Sequence, residues 1–174
     1  MSRAILYAAM LAAAAPAAAE VKSASAAGFE VENRVTVPVP PDEAWAALAR
    51  IGQWWPGDHS WSGSAANMTL DPRAGGCFCE ALPDSGGSVE HGRVVFAQPG
   101  RLLRLSAALG PLQGEAVTGT LTFAFAPAEG GGTEIVMSYL VGGLIRGPGA
   151  EGFAPIVDRV NAQQLDGLRA HLSR

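Results

Sequence analysis

The stretch FAPIVDRVNAQQLDGLRAHL, residues 153–172, decides the fold. Phe153, Ile156, Val157, Val160, Gln164, Leu168 and Leu172 recur at three- and four-residue intervals, which predicts an amphipathic helix of roughly five turns. A helix with one apolar stripe must bury it, and what precedes this one is a run of strands. Asn67–Leu70, Cys77–Leu82, Val89–Phe96, Leu102–Ala108, Ala116–Ala126 and Thr133–Val141 are short, β-rich and separated by turn chemistry. The separators are Asp71-Pro72-Arg73-Ala74-Gly75-Gly76, the Pro83 to Gly87 turn, Gln98-Pro99-Gly100 and the Glu129 to Gly132 hairpin. Connections this short produce an antiparallel meander. The segment from Gly142 to Gly152 is too rich in glycine to be regular.

Further towards the N-terminus, Phe29, Val31, Asn33, Val35 and Val37 alternate with Glu30, Glu32, Arg34 and Thr36, the period of a half-buried strand. Pro38-Val39-Pro40-Pro41 ends it. Pro41 suits a first helical turn, and Asp42 and Glu43 suit the positive end of the helix dipole, so a short helix is expected from Pro41 to Arg50. Gln53 to Gly63 holds three of the four tryptophans in a segment broken by Pro56 and Gly57, which excludes a long helix. One strand, a short helical region, six strands and a long terminal helix make an α+β chain whose sheet covers the last helix.

At the other end, Arg3 precedes an apolar run from Ala4 to Ala15, and Pro16-Ala17-Ala18-Ala19 supplies an A-x-A cleavage signature before Glu20. This is the anatomy of a secretory signal peptide over residues 1–19. Polar Glu20, Lys22 and Ser23 end the run before the length that spans a bilayer, so no stable membrane insertion is expected after cleavage. Residues 20–28 read as a flexible linker and 29–174 as one domain. The formal net charge of −4 becomes about −5 without Arg3, and Lys22 is the only lysine. Such a balance offers nucleic acid no electrostatic footprint. The Ala, Gly and Arg bias is that of a high-GC bacterium, and a periplasmic or secreted protein, monomeric or dimeric, is expected.

The order of these elements carries a resemblance. Ala44 to Leu48, Trp54-Trp55-Pro56, Gly75-Gly76-Cys77-Phe78, Gly92-Arg93-Val94, Pro99-Gly100-Arg101-Leu102 and Gly132-Thr133-Glu134-Ile135 together resemble the START/Bet v 1-like helix-grip (SRPBCC) superfamily over residues 29–172. Within it the chain is most similar to the branch of polyketide cyclases and the Hsp90-ATPase-activator C-terminal domain. The resemblance implies a curved antiparallel sheet of about seven strands wrapped around the terminal helix, with two short helices after the first strand. It also implies a cavity for apolar small molecules, and it leaves the activity open.

Polar groups on inward faces are the candidates for ligand contact. Tyr139 shares a strand face with Ile135 and Met137, and its hydroxyl could meet a ligand. Asn161 and Gln164 share the helix face of Val157, Val160 and Leu168, where each needs a partner. Trp55 and Trp61 lie with Asp58 and His59 in the segment that caps the cavity in such folds. For catalysis the candidates are Glu80, His91 and His59. If Leu82 pairs with Val89, Glu80 falls opposite His91; a shift of one residue sets Glu80 against Glu90 and Cys79 against His91. Gly92, Val94 and Phe96 read as the inward set, which puts His91 and Arg93 in solvent and makes a surface ion pair the default.

Cys77 and Cys79 share a strand face about 6.5–7 Å apart, at or beyond the reach of an unstrained disulfide, so they read as a buried thiol pair filling the pleat. His59, His91 and His171 lack the spacing of a metal motif, and no metal or cofactor is expected. The glycine-rich stretches lack a phosphate-loop ending, and no Gly-x-Ser-x-Gly elbow occurs. The favoured reading is an exported binder of an apolar, lipid-like or aromatic small molecule. The alternatives are a cyclase, dehydratase or hydrolase using the same cavity, and an envelope interaction protein with a filled core.

Overall fold

The computed structural model describes residues 18–174. Eight strands form one curved, open antiparallel sheet: β1 (Ala18–Ser25), β2 (Gly28–Val37), β3 (Met68–Leu70), β4 (Cys77–Leu82), β5 (Gly87–Gln98), β6 (Leu102–Ala107), β7 (Ala116–Pro127) and β8 (Thr133–Leu144). Their spatial order is β1-β2-β8-β7-β6-β5-β4-β3. The helix α1 (Pro41–Ala49) and three 3-10 turns, Ile51–Gln53, Gly57–His59 and Ala65–Asn67, carry the chain from β2 to the far edge. The helix α2 (Gly149–Leu172) packs chiefly on β2 and β1. This is the helix-grip arrangement of the α+β class. Among the described residues, no helix is long and apolar enough to cross a membrane.

The alternation in β2 and β8 does what its period dictates. Phe29, Val31, Asn33, Val35 and Val37 are buried, as are Ile135, Met137, Tyr139 and Val141 on the neighbouring strand. From α2, Leu165 and Leu168 enter this core fully, each contributing about 2 kcal/mol of apolar transfer. From α1, Trp45 meets Phe125 edge-on at 5.7 Å. Asn33 ties β2 to α2 by donating through Nδ2 to the Asp158 carboxylate at 2.9 Å.

Three expectations change here. Residues 20–28 are no linker: they fall largely in β1, which pairs with β2 in an antiparallel hairpin. Every β1 side chain from Ala19 to Ser25 is exposed even though α2 runs alongside, so the strand leaves no hydrophobic alternation to read. The segment from Gly142 is regular as far as Leu144, where β8 still pairs with β7, and α2 begins at Gly149, ahead of Phe153. Phe96 is exposed, because β5 carries two bulges, one between Glu90 and Gly92 and one between Val94 and Phe96. Each bulge adds a residue and reverses the alternation beyond it. The signal-peptide reading falls outside the described residues, apart from Ala18 and Ala19, which open β1.

Candidate functional site

Between the N-terminal half of α2 and the sheet lies a cavity of about 380 Å³, within the size range of small-molecule sites. Phe153, Ile156, Val157 and Val160 give it an apolar wall, one face of α2. The segment from Trp55 to Trp61 caps it, and the Leu109 to Leu112 turn closes another side. Trp55 is buried and donates through Nε1 to the His59 carbonyl at 3.0 Å, whereas Trp61 is 56% exposed at the mouth. Trp54 lies outside the cavity lining, a buried staple that donates to the Leu48 carbonyl. The five residues read as ligand contacts, Trp55, Trp61, Tyr139, Asn161 and Gln164, therefore converge on one space.

Asn161 and Gln164 sit one turn apart on α2, and both are buried. Asn161 Nδ2 and Gln164 Oε1 are sealed from solvent and have no hydrogen-bond partner among the described residues. A buried unpaired polar atom costs about 1–3 kcal/mol, so two together at a cavity wall are a cost that a bound polar group removes. Tyr139 behaves otherwise. Its hydroxyl donates to the Ala107 carbonyl and accepts from the Leu109 amide, both at 3.1 Å, so it is spent on backbone and is no free ligand contact. Burial pushes its pKa up to about 12. The ring fits because Gly119 on β7 has no side chain: a Cβ there would lie 2.6 Å from Tyr139 Cε2.

The β4–β5 hairpin follows neither register considered from sequence. Glu80 pairs with Val89 and Cys79 with Glu90, whereas Phe78 pairs with Gly92, leaving His91 as the extra residue of the bulge. The bulge turns His91 inward beside Gly92. Instead of facing solvent, His91 is 5% exposed and lines the cavity, with Glu80 at 1% behind it. Gly in a strand interior is a sequence signal for a bulge, and His91-Gly92 carried it.

Glu80 Oε2 accepts from His91 Nε2 at 2.9 Å and from the Trp61 amide at 3.1 Å, and Oε1 accepts from the Ser62 amide at 2.6 Å. Burial alone would raise the carboxyl, but hydrogen bonds from Ser62, Trp61 and His91 outweigh it and hold Glu80 below its ordinary range. Burial is also the main influence on His91, pushing it below its ordinary value despite the opposing carboxylate. The pair is thus a carboxylate and a neutral imidazole. An ionised carboxylate only accepts, so Nε2 carries the ring proton and Nδ1 the lone pair. Among the described residues Nδ1 has no partner. Phe78 lies against the imidazole at 4.7 Å with the rings tilted by 34°, and Trp55 meets Phe78 edge-on at 5.4 Å, which confines the imidazole.

His59 also lines the cavity, but its Nε2 is hydrogen-bonded to Gln163 Oε1 at 2.7 Å, a link from the capping segment to α2. The cysteines lie on the opposite face of the hairpin, half-buried, and form a disulfide rather than a thiol pair in the core. The Cα–Cα distance is 5.4 Å, shorter than regular strand spacing and inside the range a disulfide bridges, where the partner strand bulges. Their sulfurs and a Glu90 oxygen lie within 4.8 Å of one another, with the sulfurs already committed to each other.

Solved structures share this architecture. A Rhodobacter sphaeroides protein is 22% identical with a TM-score of 0.58, over 90% of this chain and 96% of that one. An uncharacterised Rhizobium leguminosarum protein is 21% identical with a TM-score of 0.60, over 91% and 98%. The di-domain ARO/CYC BexL, from the BE-7585A biosynthetic pathway, is 15% identical with a TM-score of 0.57, over 86% of this chain and 52% of that one. At such identities the likeness is one of fold. No curated protein matches the chain. Residues 28–173 match a family described as polyketide cyclase / dehydrase and lipid transport, so the α2-lined cavity sits in a family domain spanning nearly the whole described chain, and the protein belongs to that family.

Proposed function

We propose that the cavity binds an apolar or aromatic small molecule carrying a polar end, and that the protein does so after export. The observation that carries the reading is the pair of buried atoms without a partner among the described residues, Asn161 Nδ2 and Gln164 Oε1, on an otherwise apolar helix face that lines the cavity. Apolar side chains alone would fill such a space with less cost; a donor and an acceptor there suit a ligand with a carbonyl or hydroxyl at one end. The family description, which joins polyketide cyclase, dehydrase and lipid transport, supports a small-molecule cavity. Export rests on the apolar run from Ala4 to Ala15 and the alanines before Glu20.

Native mass spectrometry of the protein recovered from the periplasm, compared with its denatured mass, tests both parts. A stoichiometric adduct on a chain beginning at Glu20, or uptake of the fluorescent apolar probe N-phenyl-1-naphthylamine by the emptied protein, is the expected result. A protein without adduct that also fails to take up the probe overturns the binding reading. Recovery of the full-length chain in the cytoplasm overturns export.

A further inference from the structure

We propose that this cavity is catalytic: His91, positioned by Glu80, is a general base that removes a proton from a carbon next to a carbonyl group of the bound molecule. The inference rests on the binding reading above and goes beyond it. Three features carry it. His91 is buried yet lines the cavity, and its Nε2 is committed to Glu80 while Nδ1 has no partner among the described residues. Glu80 is fixed by two further amides, from Trp61 and Ser62, so the carboxylate is held in place whether or not a ligand is present. The imidazole is clamped by Phe78 in a strand bulge whose effect is to turn a histidine inward. A base held this way, with a carboxylate behind the far nitrogen to receive the imidazolium, is the arrangement general-base catalysis requires.

The step balances within the site. The Nδ1 lone pair takes the proton, the C–H electron pair becomes the carbon–carbon double bond of the enolate, and the carbonyl π pair moves to oxygen. That oxygen needs a donor, which Asn161 Nδ2 supplies from the helix wall while His91 acts from the sheet wall. Return of the proton to the same carbon gives exchange, and its return elsewhere along a conjugated enolate gives isomerisation; neither needs a co-reactant. Around the imidazole, Glu80 is the charged group that acts on His91 from β4. Tyr139 faces the cavity from β8 as a neutral phenol, Asp58 and His59 from the capping segment, and α2 contributes no charged side chain to the lining. Burial keeps His91 neutral at pH 7 and therefore able to accept.

The test uses 2-tetralone, an apolar aromatic ketone with acidic α-protons, in D2O, with loss of those proton signals followed by NMR. Displacement of N-phenyl-1-naphthylamine reports binding in parallel. The wild-type protein is expected to accelerate exchange about 100-fold or more over the same concentration of imidazole. His91→Gln should return it to background with tetralone still bound, and His171→Gln, at the far end of α2, should change nothing. Glu80→Gln should slow exchange and displace the pH–rate profile, the signature of a positioning residue. Should His91→Gln not fold, the wild-type profile decides: the rate must reach a plateau governed by one ionisation below pH 6.5, and a rate that climbs with hydroxide without a plateau overturns the proposal. Saturable binding with exchange unchanged in His91→Gln overturns the catalytic role and leaves the binding reading standing. Failure of both tetralone and the naphthylamine to bind overturns that reading, and this inference with it.

Discussion

The two faces of the β4–β5 hairpin carry the same kinds of residue and treat them in opposite ways. On the inner face, Glu80 and His91 are at most 5% exposed, hydrogen-bonded to each other and to the capping segment. On the outer face, Glu90 and Arg93 form an ion pair with side chains about half exposed, 49% and 47%, beside the Cys77–Cys79 disulfide. Between the two lies one extra residue in β5, which lets His91 and Gly92 both face inward where a regular strand would turn one of them out. What separates a catalytic candidate from a solvated pair here is a backbone irregularity, not composition. Either face could hold the bulge in place.

If the inner face does, removing Glu80 has the largest effect. Glu80→Ala leaves the Trp61 and Ser62 amides and His91 Nε2 without their acceptor, a loss of about 3 kcal/mol read from urea unfolding. Glu80→Gln, which keeps one acceptor oxygen, should lose less. The same contrast is visible through pH. Glu80 titrates below its ordinary 4.5 in the folded chain, so its contribution is full above pH 4.5 and is lost as pH falls through the folded value. His91 titrates below its ordinary 6.5, so from pH 6.5 downward the unfolded chain gains a proton that the folded chain refuses. Both signs agree: stability declines on acidification, beginning near pH 6.5, and Glu80→Gln removes the part below pH 4.5. A midpoint that rises between pH 7 and pH 4 would contradict both.

The disulfide on the outer face closes a loop of three residues, so its effect on the unfolded chain is small. Replacing both cysteines by serine should cost about 1.5 kcal/mol, with the tetralone exchange unaltered. A larger loss, or His91 displaced into solvent in the variant's crystal structure, would mean that the outer face sets the bulge.

The sequence carries the elements whose side chains divide between core and solvent. β2, β8 and α2 are legible because burying alternate or every third and fourth residue leaves a period. Tyr139, Asn161 and Gln164 could be placed at the cavity for the same reason, as polar residues on faces otherwise apolar. What the pattern does not encode is backbone pairing without burial, as in β1, and register. Two bulges in β5 turn Phe96 outward and His91 inward, and both defeat a strict period of two. The Tyr139 hydroxyl was legible as buried but its partners were not, because the Ala107 carbonyl and Leu109 amide come from another part of the chain.

The smallest expected effect is the most discriminating. Arg93 pairs with Glu90 across the extra residue and also donates to the Gly75 carbonyl at 3.1 Å, so it straps the bulge from outside. Half-exposed pairs of this kind are screened by water and spend side-chain entropy, so Arg93→Ala should cost about 0.5 kcal/mol or less. Hydrogen exchange at the His91 and Gly92 amides gives the finer reading. If Glu80 and the Phe78 contact hold the bulge, their protection is unchanged in Arg93→Ala and falls in Glu80→Ala. If protection falls by the same factor in both, the two faces hold the imidazole jointly, and a surface change then reaches the cavity through the backbone.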